Sequence, residues 1–180
     1  MRRMTLLTVL LFSPAGWSQE RPSTEGPYFG LAAGVLDWDE GFWIGTFTDS
    51  GPIAKLYGGF RFNERWAVEG SFSRSSTLED VFIFPGDPPT GADFDIFEVR
   101  GLAHIRSFVA GIGFWDMTSS SSPPIYYALP RSDSGFSAIV GGQWSFKRWN
   151  FRLEHERFDT DGGRDVTVSS FGAHYAFGRR

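Results

Sequence analysis

An all-β fold, an eight-stranded antiparallel up-and-down transmembrane β-barrel preceded by a cleavable signal peptide, is predicted by three features of this sequence. Stretches of about ten residues alternate between apolar and polar side chains. The connections between them run long, then short, then long again. No later segment holds an apolar run long enough for a membrane-spanning helix, which needs about 20 residues. Period-two alternation marks a sheet with two unlike faces. Antiparallel neighbours reverse direction, so all the short turns fall at one end and all the long loops at the other.

The first residues read as an address. Arg2 and Arg3 precede an apolar run from Leu6 to Phe12, and small residues follow up to Ser18. That is the layout of a secretory signal peptide, with cleavage expected after Ser18. The predicted domains are therefore a signal peptide over 1–18 and a barrel domain over 19–180. Losing Arg2 and Arg3 takes the formal charge from -4 to -6. A chain this acidic lacks the basic face that phosphate contacts require, which excludes nucleic acid as a partner. With Cys at 0, disulfides, thiolate metal sites and an acylated N-terminal cysteine are excluded too.

After a polar leader from Gln19 to Glu25, the first strand is expected over Pro27 to Asp37. The second, Ile53 to Phe62, and the third, Arg65 to Ser75, are joined by Asn63 and Glu64; Phe60, Phe62, Trp66, Val68 and Phe72 alternate there with Arg61, Ala67, Glu69 and Ser71. In the fourth, Phe94 to Ile105, the apolar row Phe97, Val99 and Ile105 alternates with Glu98, Arg100 and His104. Arg106 leads into the fifth, Ser107 to Thr118. Lys147 separates the sixth, Ser134 to Phe146, from the seventh, Arg148 to Phe158, where Trp149, Phe151 and Leu153 alternate with Asn150, Arg152 and Glu154. The eighth is Asp165 to Phe177, and the remaining links are Trp38 to Pro52, Ser76 to Asp93, Ser119 to Asp133 and Asp159 to Arg164.

A barrel of this size can hide either face. Its interior holds only filling side chains, so mixed charges with Gly and Ser suit it better than rows of Phe and Trp. The aromatics are assigned outward. The lumen is then expected to hold a polar network of Lys55, Arg61, Glu69, Glu98, Arg100, Arg152, Glu154 and Glu156, plugged against small-molecule conduction. Glu69, Arg100 and Glu154 fall at similar depth, with Lys55, Glu98 and Glu156 a layer higher. A one-residue slip would turn Arg100 and Arg152 onto hydrocarbon at up to ~2–4 kcal/mol each, which secures the register.

Large aromatics bracket the strands as two expected interfacial girdles. Tyr28, Phe62, Trp66, Phe108, Phe146, Trp149, Tyr175 and Phe177 fall near the short-turn end. Trp38, Trp43, Phe72, Phe94, Trp115 and Phe136 fall near the long-loop end.

The segment from Gly58 to Phe72, reading GGFRFNERWAVEGSF, resembles the second hairpin of the outer-membrane β-barrel family of opacity-type proteins and the transmembrane domain of outer membrane protein A. The closing Phe171 to Phe177 is similar to that family's last strand, although Gly178, Arg179 and Arg180 follow the terminal aromatic. The resemblance spans essentially the whole mature chain. It implies the outer membrane as location, and the barrel-assembly machinery and outer-membrane lipid with lipopolysaccharide as partners. It also implies a structural or adhesion-like role, with a host or environmental ligand at the loops. No peptidoglycan-binding domain is expected.

No catalytic residue, metal or cofactor is expected. His104, His155 and His174 are the available bases, and His155 near the loop end could meet a Ser, but no motif brings Ser, His and an acid together. The run Asp159, Asp161, Gly162, Gly163 and Asp165 places Ser170 where a calcium loop needs its Glu. Acidic residues crowd the loop end and would repel lipopolysaccharide phosphates unless divalent cations bridge them. Two alternatives stand beside the main reading: an outer-membrane barrel enzyme acting on lipid A or peptides, and a soluble exported lipocalin-like cup binding an apolar ligand.

Overall fold

The computed structural model describes residues 25–42, 45–76, 91–122, 132–160 and 164–178. The expected signal peptide and Trp43 lie outside the described residues. Eight strands follow in order: β1 Gly26–Phe42, β2 Gly45–Arg61, β3 Trp66–Ser75, β4 Gly91–Ile105, β5 Phe108–Ser122, β6 Ser132–Phe146, β7 Trp149–Asp159 and β8 Arg164–Ala176. Each pairs antiparallel with the next, and β8 returns to β1 to close the barrel.

Two hairpins run further than the alternation predicts. β1 and β2 stay paired from Gly26↔Arg61 to Phe42↔Gly45, so most of the expected loop from Trp38 to Pro52 is sheet. β4 and β5 likewise pair up to Gly91↔Ser122. The apolar/polar contrast fades at these ends because the outer face leaves hydrocarbon, whereas backbone pairing needs no such contrast.

Tilt follows from register. Tyr28 pairs with Gly59, Gly59 with Glu69, Glu69 with Arg100, Arg100 with Gly113, Gly113 with Ser137, Ser137 with Phe158, Phe158 with Val166 and Val166 with Trp38, which is ten residues further along β1. One circuit therefore climbs ten residues, and closure at that stagger inclines the strands to the barrel axis. A buried residue low on one strand consequently meets the next strand somewhat higher up.

The short turns have local causes. Between β2 and β3 the Asn63 side-chain oxygen accepts from the backbone N–H of Arg65 (2.8 Å) and Trp66 (3.0 Å), a turn an Asn makes on its own. Arg106 and Lys147 open the two tightest hairpins in left-handed conformation, at φ 56° and 59°. A side chain there costs ~1–2 kcal/mol, which a glycine avoids at ~0.5–1 kcal/mol of extra chain entropy. Arg106→Gly is therefore expected to stabilise the barrel by about 0.5–1 kcal/mol in urea unfolding. A loss instead would mean that the arginine contributes contacts of its own.

Candidate functional site

The lumen is built from the inward parity of every strand. At its centre Glu69 on β3 accepts from three groups. Arg152 donates to it through both Nη1 and Nη2 (2.9 Å each), Arg100 through Nε (2.8 Å) and Tyr28 through its hydroxyl (2.8 Å). The Arg152 pair is bidentate, the strongest geometry a guanidinium and carboxylate can adopt. Arg100 also reaches Glu154 (Nη2 to Oε2, 3.0 Å), Glu98 (Nη1 to Oε2, 3.3 Å) and Glu156. Lys55 bonds Glu156 and lies 3.9 Å from Glu154. Glu98 is held further by the hydroxyls of Ser71 (3.3 Å) and Ser137. Three cations and four carboxylates, all buried, thus form one connected cluster. Arg61 sits nearer the short turns, with Nη2 2.9 Å from His104 Nδ1.

Apolar layers lie on both sides of this cluster. Toward the long loops Leu36, Trp38, Ile53, Phe94, Ile96, Trp115, Met117, Phe158, Val166 and Val168 form one buried group. Trp38 stacks on Phe94 with centroids 4.6 Å apart, and Trp115 meets Phe158 edge-on at 5.6 Å. Toward the short turns Tyr28, Tyr57, Ala67, Leu102, Val109, Ile139 and Ala176 form the other.

This corrects the aromatic girdles. Trp38, Phe94 and Trp115, expected at the loop-end interface, are 0–1% exposed and face the lumen, and Tyr28 faces it at the other end. Each has inward parity: Phe94 shares its face with Glu98 and Arg100, and Trp115 with Met117. Nearness to the loop end suggests an interface for these residues, but odd or even position along the strand decides which face they take. Phe62, Trp66, Phe108, Phe146, Trp149 and Phe177 are exposed on the outer wall near the short turns, and the Tyr175 ring packs among them, 5.4 Å from Trp149 and 5.2 Å from Phe177. At the other edge Phe72, Phe97, Phe114 and Phe136 face outward, in touching pairs Phe72–Phe97 (4.7 Å) and Phe114–Phe136 (6.0 Å). Above them the same faces turn polar with Asp37, Arg74, Asp95, Asp116 and Ser134. An apolar band bounded by aromatic rows, wrapped around a charged interior, is what hydrocarbon solvent demands of a barrel wall.

The family of the outer membrane protein beta-barrel domain matches residues 4–179. The chain belongs to that family. It is a protein of the cell outer membrane. Among solved structures, it is similar to the attachment invasion locus protein Ail of Yersinia pestis in complex with the heparin analogue sucrose octasulfate, at 19% identity and TM-score 0.51, covering 84% of this chain and 98% of Ail. Neisserial surface protein A is similar at 11% identity and TM-score 0.53, covering 83% and 97%. The outer membrane protein OprG of Pseudomonas aeruginosa is similar at 13% identity and TM-score 0.51, covering 88% and 99%. Comparison with curated proteins finds no match.

The outer wall of this outer-membrane barrel holds one polar contact the sequence left open. His155 on β7 faces outward, and its Nδ1 lies 2.9 Å from Ser169 Oγ on β8. Its other outward neighbours by register are Leu153, Arg157 and Val140, so among the described residues on these strands no carboxylate stands beside it to orient the ring as hydrolytic triads require. Higher on the same strands Arg157 Nε lies 3.2 Å from Asp165 Oδ1. Among the described residues no group of three or more His, Cys, Asp or Glu side chains gathers to hold a metal ion.

Proposed function

We propose that this protein is a non-enzymatic, non-conducting envelope barrel, exported through the leader at 1–18 and inserted by the barrel-assembly machinery. It holds its long loops at the cell surface for structural contacts or for a host or environmental ligand. The observation that supports a closed lumen is the unbroken sequence of buried layers: aromatic cluster, charge cluster, second apolar cluster. A water file would have to displace Trp38 and Phe94 from their stack and break the pairs to Arg100.

Planar-bilayer recording on the refolded mature chain tests the closed lumen, and the expected result is no unit conductance. Regular conductance steps would overturn it. The surface role is tested by replacing 77–90 and 123–131 with Gly-Ser linkers and measuring adhesion of intact cells. Adhesion should fall while barrel folding, read by heat-modifiable gel mobility, is kept. The heparin analogue bound by Ail is a polyanion, whereas Asp80, Asp87, Asp93 and Asp133 in or beside these two loops favour a neutral or cationic ligand.

A further inference from the structure

The outward face of β7 and β8 carries three pairs of neighbours, each made of unlike members. We propose that this face is a homodimer interface, on which two barrels inserted in the same direction meet about a two-fold axis along the membrane normal.

The lowest pair is Phe151 beside Ala173, a large side chain beside a small one. Higher up His155 bonds Ser169, and above them Arg157 Nε lies 3.2 Å from Asp165 Oδ1. In all three the first member is on β7 and the second on β8. A two-fold contact sets residue i of one copy against residue j of the other, and j against i. With the axis between these strands, Phe151, His155 and Arg157 of one protomer therefore meet Ala173, Ser169 and Asp165 of the partner subunit, and the reverse. Bulk fills a hollow, donor meets acceptor and cation meets anion.

His155 is the residue that requires such a partner. The outward row of β7 turns polar at His155, three outward positions above Trp149, whereas on β3 and β5 it does so at Arg74 and Asp116, four above Trp66 and Phe108. Across the ladder His155 and Ser169 lie between Val140 on β6 and Val35 on β1. The pair thus sits inside the apolar band. Its hydrogen bond uses Nδ1, and among the described residues Nε2 has no partner. Hydrocarbon offers none, while the partner's Ser169 does; polar side chains within membranes turn to protein for that reason.

Below this level Trp144, Phe151 and Phe171 form one cluster, with centroids 6.0, 5.8 and 6.4 Å apart and ring planes within 28° of one another. Rings already held by each other lose little freedom on association. Gly142 on β6 and Ala33 on β1 border the cluster and let a second backbone come close. No hydrophobic force separates a barrel wall from lipid tails, so packing and directional contacts decide the occupant. Asp159 and Asp39 flank Asp165 above Arg157, at a rim where water and salt screen like charges.

The chain has no cysteine, so a single introduced one reports the contact. In the full mature chain refolded into phosphatidylcholine vesicles, Thr167→Cys on β8 is expected to give a dimer with a short bis-maleimide, whereas Arg74→Cys on the opposite wall is not. In the Thr167→Cys background, His155→Leu suits hydrocarbon and should lower the dimer yield roughly tenfold at limiting protein density, with Ser169→Ala acting alike. Arg157→Asp and Asp165→Arg should each lose roughly fivefold alone, because like charges then face each other across the axis. Mixed in one vesicle, differently tagged copies of these two variants should restore the dimer as a heterodimer. The Arg157–Asp165 pair within one barrel cannot produce that rescue. No dimer from Thr167→Cys, equal yield from both cysteines, a yield indifferent to His155→Leu, or a mixture no better than either variant alone would overturn the assignment.

Discussion

Arg100→Met is expected to destabilise the barrel by about 3–5 kcal/mol, or to prevent refolding into vesicles, because it leaves buried carboxylates without their shared partner. Arg100 is about 1% exposed and contacts Glu69, Glu98, Glu154 and Glu156 together. Only Lys55 and Arg152 would remain against those four. The loss is not the worth of any one pair, since buried pairs often only break even against apolar replacements. It is the cost of uncompensated charge away from water. The triple variant Arg100→Met, Glu69→Gln, Glu154→Gln should therefore recover much of the loss, a non-additivity that urea unfolding in vesicles would measure. A single-variant loss below about 1 kcal/mol would show that water or a counter-ion reaches the cluster. The outward pairs Arg74–Asp95 and Arg157–Asp165 are solvent-exposed, and removing one partner there should change stability by at most ~1 kcal/mol.

Leu153→Arg comes next in size. Leu153 is 53% exposed on the outer wall and pairs with Gly142 and Phe171, four residues above Trp149 in the short-turn girdle. An arginine at such mid-band depth is expected to cost ~2–4 kcal/mol, against ~0–1 kcal/mol for Ser134→Arg in the polar row near the loops. The contrast between the two sites is the measurement, made on barrels refolded into the same vesicles. A soluble cup would show no such contrast, since an exposed leucine in water gives way to arginine with as little penalty as an exposed serine. Equal small effects at both sites would mean that this wall does not face hydrocarbon.

The strands, their order and the charged identity of the lumen follow from spacing alone. Glu69, Arg100 and Glu154 alternate with Val68, Val99 and Leu153, and no other register keeps charge off hydrocarbon. The same parity carried the answer for Phe94 and Trp115, which share a face with Arg100 and Met117, but their size and nearness to the loops suggested an interface. Bulk near a strand end is ambiguous in a way that odd or even position is not. The paired ribbon from Trp38 to Pro52 was not legible, because beyond the membrane the outer face is wet and alternation no longer reports a sheet.

Partner choice was decided by the closed tertiary structure. Glu69 and Arg152 are 83 residues apart and meet across the lumen from β3 and β7. Closure and the ten-residue climb bring those side chains level. The His155–Ser169 contact likewise exists only once neighbouring strands are in register. Alternation is a property of one strand and can be read along the chain. Contact across a barrel depends on tilt and stagger summed over all eight strands, and no local pattern encodes that sum.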